Sequence, residues 1–83
     1  MSVIILFRTL TQAQRAVYML RAAGIPSTVV KAPSETTDRG CTYAAGFARR
    51  SYHRALSLLD DNNVSHGRMF FRGEDGVYRE TAP

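Results

Sequence analysis

The chain has 83 residues, 45% hydrophobic and 22% charged, with a net charge of +4. That length allows one domain over residues 1–83 with a single modest core and excludes a cleft between two domains, so substrate must sit on a surface, in a loop nest or between subunits. No apolar run approaches a bilayer span, no secretory pattern opens the chain and a lone cysteine, Cys41, builds no internal disulfide, which together point to a cytoplasmic protein with no membrane role.

Val3-Ile4-Ile5-Leu6-Phe7 is apolar on both faces, as in a central strand. Thr9 or Thr11 then caps a helix, each with a glutamine three residues on, Gln12 and Gln14. Ala13, Ala16, Val17, Leu20 and Ala23 recur at helical spacing and give that helix one apolar stripe. Gly24-Ile25-Pro26 stops it: glycine takes the left-handed position, Ile25 folds back on Leu20, and proline cannot continue. Thr28, Val29 and Val30 form a second, short strand.

Pro33 to Gly40 has the composition of a loop. Thr42 to Ala48 reads as the third strand, with Tyr43, Ala45 and Phe47 on one face and the small residues Thr42, Ala44, Gly46 and Ala48 on the other. Ser51 is placed to cap a second helix, whose stripe is Tyr52, Ala55, Leu56 and Leu59 and which is expected to fray through Asp60-Asp61-Asn62-Asn63. Met69-Phe70-Phe71 is a fourth strand, and Gly73-Glu74-Asp75-Gly76 a turn that returns Val77-Tyr78-Arg79 as a hairpin partner. The last few residues are expected to fray.

Strand, helix, strand, strand, helix, strand is the ferredoxin-like order, an α+β fold whose antiparallel sheet carries both helices on one face, here with an extra C-terminal hairpin strand. The first helix starts at the end of the sheet where strand one finishes, and the connection between strands two and three crosses the same end. Cys41 is therefore expected near the start of the first helix. Unpaired amides there carry about half a positive charge and favour a thiolate, and Arg8 and Arg39 add to the field. Two readings of Cys41 stand side by side: a small buried hydrophobe, or an activated thiol at a loop-to-strand junction. On the second reading the surrounding shell is Arg8, Thr9, Thr11, Arg39, Gly40 and Thr42.

The layout SVIILFRTLTQAQRAVYMLRAAGIPSTVVKAPSETTDRGCTYAAGF, followed by ALSLLDDNNVSHGRMFF, resembles the small bacterial domains of the selenium/sulfur carrier-like family. The resemblance runs to about Phe71 and rests chiefly on the segment from Pro33 to Cys41. In that family glycine usually follows the cysteine, whereas here Gly40 precedes it and Thr42 follows; the usual basic residue after the proline is Ser34. The resemblance implies that Cys41 carries sulfur or selenium as a persulfide or selenopersulfide, between donor and acceptor proteins and without a cofactor. That describes a carrier or binding protein more than a conventional enzyme.

His53 and His66 read as surface histidines, and no spacing suits a metal. His66, before strand four, should lie at the same end of the sheet as Cys41. Two rival classes remain. An RNA-recognition-like module would share the topology, and Arg39-Gly40 followed by Tyr43 is faintly similar to its signature. If Tyr43 and Phe47 face the helices, however, the open face shows only Thr42, Ala44 and Gly46, which disfavours nucleic acid. A non-enzymatic regulatory or assembly module would use the same small-residue face beside Ile4 or Leu6, which a monomer would expose, and a homodimer through that face is expected.

Overall fold

The computed structural model describes residues 2–34, 36 and 43–81. Its elements are β1 (Val3–Phe7), α1 (Leu10–Ala22), β2 (Ser27–Lys31), β3 (Tyr43–Phe47), a short 3₁₀ turn (Arg49–Ser51), α2 (Tyr52–Asp61), β4 (Met69–Arg72) and β5 (Tyr78–Thr81). The sheet order is β2-β3-β1-β4-β5, with every neighbouring pair antiparallel. This is the ferredoxin-like arrangement with a fifth strand added beside β4. The uninterrupted apolar run of β1 matches its central place, because all five of its residues are buried.

Thr9 is the N-cap of α1: its backbone is extended and its Oγ1 accepts from the Gln12 amide at 3.1 Å. The helix buries Ala13, Ala16, Val17 and Leu20. At its other end Gly24 has φ +83°, its amide donates to the Arg21 carbonyl at 2.9 Å, and the Ile25 amide donates to the Leu20 carbonyl at 2.9 Å. Those two bonds are a Schellman ending, and Leu20 and Ile25 share one core cluster.

The second helix departs from expectation at both ends. Ser51 makes no side-chain cap bond. The 3₁₀ turn ends on Ser51 and leaves its backbone at ψ 4°, whereas a capping hydroxyl is normally aimed at the first-turn amides from an extended residue. The Asp60 to Asn63 stretch closes instead of fraying: Asn63 sits at φ +54°, its amide donates to the Asp60 carbonyl, and the Val64 amide donates to the Leu59 carbonyl at 2.9 Å. Asparagine substitutes here for the glycine of the first helix.

Both helix stripes pack on one face of the sheet, against Val3, Ile5, Phe7, Ala45, Phe47 and Met69, with Tyr43 and Phe71 partly buried beside them. The third strand is thus oriented as its large and small residues suggest. The opposite face holds a second cluster of Ile4, Leu6, Ala32, Ala44 and Phe70, flanked by Val30 and Tyr78. Ile4 is 1% exposed and Leu6 and Ala44 are 0% exposed within one chain, so the bare apolar face expected for a monomer is not there. Nor does that face lack aromatics. Pairing of Phe70 with Ile4, and of Tyr78 with Arg72, sets both rings on it. Arg68 and Glu80 join over this face by a two-bond fork of 2.9 and 2.7 Å, and the guanidinium lies 5.4 Å from the Phe70 ring centre.

Candidate functional site

Strand register places the candidate site at one end of the sheet. β1 finishes at Phe7, whose partner is Tyr43, the first residue of β3; Tyr43 in turn pairs with Lys31, the last residue of β2. On the other side of β1, the Gly67 amide donates to the Leu6 carbonyl at 2.8 Å and the Leu6 amide to the Arg68 carbonyl at 3.0 Å. The end of β1, the start of α1, the end of β2, the start of β3 and the approach to β4 therefore meet.

Arg8, Thr9 and Thr11 all lie at this end and are exposed. Cys41, Arg39, Gly40 and Thr42 lie outside the described residues; the described residues on either side of them are Thr36, which is buried, and Tyr43, which pairs with Lys31 at this end. The topology brings His66 here too, next to Gly67, as the sequence order required. Its ring is half-buried and its Nδ1 lies 2.9 Å from the Gly67 carbonyl oxygen. A carbonyl only accepts, so this contact is a hydrogen bond when Nδ1 carries a proton.

The local charge at the helix start is positive. The first turn of α1 contains no acidic residue, so its amide dipoles face no carboxylate there, and Arg8 directly precedes the cap. Thr9 already satisfies the Gln12 amide, which leaves the remaining first-turn amides as the donors available to an anion. Lys31, exposed at the end of β2, is a further cation that sequence reasoning did not count. The signal was present: antiparallel pairing sets the last residue of one hairpin strand beside the first of the next. A hollow of about 410 Å³ opens alongside, between Gln12, Arg15 and Met19 of α1 and Asn63, Val64 and Ser65 after α2.

Among the described residues no group of three or more histidine, cysteine, aspartate or glutamate side chains is gathered as a metal would require, and no helix is long and apolar enough to cross a membrane. The arrangement is a ferredoxin-like α+β scaffold with a cationic helix start at the sheet end where β2 finishes and β3 begins. The chain belongs to the family described as "Putative Se/S carrier protein-like", which it matches over residues 2–70. No curated protein matches the chain, and no solved structure does.

Proposed function

We propose that this protein carries sulfur or selenium on Cys41, as a transient persulfide or selenopersulfide handed from a donor protein to an acceptor in the cytoplasm. The observation that carries the reading is the family match across residues 2–70, which spans Cys41 and both sides of its segment. The positive helix start at Thr9 supports it, because thiolate and persulfide are both anions. The Cys41 thiolate attacks the outer sulfur of a donor persulfide; a new S–S bond forms, the donor S–S bond breaks, and the donor leaves as thiolate. An acceptor nucleophile then takes the outer sulfur and releases Cys41 as thiolate, with no external oxidant or reductant. Arg8, Arg39 and the helix start from Thr9 to Thr11 stabilise the anion, and Gly40 and Thr42 flank it.

Intact-mass analysis after incubation with a persulfide donor tests this. Wild type gains one sulfur atom, lost on adding a thiol reductant, and Cys41→Ser gains none while keeping its circular dichroism spectrum. Absence of any gain with both sulfur and selenium donors counts against the carrier reading.

A further inference from the structure

The two edges of the sheet, β2 and β5, are built differently. β5 is Tyr78-Arg79-Glu80-Thr81, with a charge on each face at mid-strand. β2 is Ser27-Thr28-Val29-Val30-Lys31, with no charge before its last residue and no proline inside it. Among the described residues β3 is the only strand alongside β2. An edge strand offers a row of backbone donors and acceptors along its outer side, and proteins guard such rows with charges, prolines or bulges. Arg21 guards only the start of β2, its Nε donating to the Ser27 carbonyl at 2.7 Å.

The register decides what fits this edge. When two copies of an edge strand join antiparallel about a two-fold axis perpendicular to the sheet, the helices stay on one side and each residue faces only residues of its own face. The centre of the pairing then falls on a residue. On β5 a mid-strand centre sets Arg79 against Arg79 or Glu80 against Glu80, and like charges directly opposite are unfavourable. On β2 the centre at Val29 sets Val29 against Val29, Thr28 against Val30 and Ser27 against Lys31, so no charged residue of the strand stands opposite a like charge of the strand, and Arg21 on the Ser27 carbonyl is the cation nearest the second copy's Lys31. Thr28, Val29 and Val30 are each only partly buried in one chain and have surface left to cover.

We propose that two copies of this chain associate through β2, antiparallel and centred on Val29, to form one continuous sheet. Five-residue edges make a small contact, so the dimer is weak and fills as concentration rises. Sedimentation of the full chain from micromolar to millimolar concentration should show monomer passing to dimer, with amide protection at Thr28 to Lys31 rising in step. Val29→Lys sets two ammonium groups across the axis and should raise the dissociation constant at least about tenfold. An equimolar mixture of Val29→Lys and Val29→Glu should associate more tightly than either alone. A monomer at every concentration overturns the proposal, as does a dimer whose dissociation constant Val29→Lys leaves unchanged. Where a variant does not fold, hydrogen exchange on wild type decides: protection at Thr28 to Lys31 that ignores concentration overturns it.

Discussion

The two faces of the sheet are both buried, by different means. On the covered face the stripes of two helices lie on Val3, Ile5, Phe7, Ala45 and Phe47, a layer on a layer. On the other face, among the described residues, no helix packs; Ile4 and Leu6 are hidden among Val30, Ala32, Ala44, Phe70 and Tyr78, with the Arg68–Glu80 pair above. An apolar central strand is thus no indication of a missing partner when its neighbours cross the face themselves. The difference also assigns risk. A ring cut away on the covered face loses contacts with both the sheet and the helices, whereas one cut away on the open face loses only a few side chains of neighbouring strands.

The sharpest way to break this comparison is a charge on the open face. Ala44 is 0% exposed, and Ala44→Arg would both overfill its site and leave a guanidinium without water or a carboxylate. The expected cost is several kcal/mol, enough to abolish a cooperative thermal transition in a small protein. An Ala44→Arg protein that melts like wild type would mean that the face is open after all.

Next in size are matched truncations of one ring per face. Phe47→Ala, on the covered face, should cost about 3–5 kcal/mol in urea unfolding. Phe70, 4% exposed on the open face, should cost about 3 kcal/mol on the same change, at the low end of that range, because among the described residues no helix lies over it. A loss below about 1 kcal/mol for Phe70→Ala would reduce the second cluster to a surface patch.

These two rings also show what could be read in advance. Phe47 was legible, since β3 alternates large and small residues and a period of two fixes a face. Phe70 was not: Met69-Phe70-Phe71 is apolar throughout, so its face follows only from pairing with Ile4. The topology was readable from the order of elements, and with it the meeting of Arg8, Thr9, Thr11 and His66 at one end of the sheet. Asn63 was misread because a run of aspartates and asparagines looks like a fraying end, while its left-handed backbone depends on the path to Val64. Of the candidate site, the scaffold was legible; Arg39, Gly40, Cys41 and Thr42 lie outside the described residues.

A smaller effect compares the starts of the two helices on the covered face. Thr9→Ala removes a real cap bond and should cost about 1 kcal/mol. Ser51→Ala removes none and should stay within about 0.5 kcal/mol of wild type, measured in the same urea series. Equal losses would show that the hydroxyl of Ser51 caps in solution and that the 3₁₀ turn before it rearranges.

The smallest expected effect concerns the turn that returns β5 to the open face. Asp75 accepts from the Arg79 guanidinium at 2.7 Å and from the Val77 amide at 3.0 Å, and the first of these does most to hold its carboxyl at about 2, below the usual carboxylate range. A carboxyl whose pKa is lower when folded than when unfolded contributes stability above the unfolded value, and that stability is lost as pH falls through about 2. The pair is exposed, so the gain is small. Its location makes it informative, because Tyr78 flanks the open-face cluster and sits next to Arg79. Carboxyl NMR should place the Asp75 midpoint near 2, and Arg79→Ala should move it up toward the ordinary carboxylate range. Ring signals of Tyr78 should shift with that titration while those of Phe47 do not. If the midpoint stays low without Arg79, the Val77 amide holds the carboxylate, and the turn keeps β5 in place through its backbone instead of its charges.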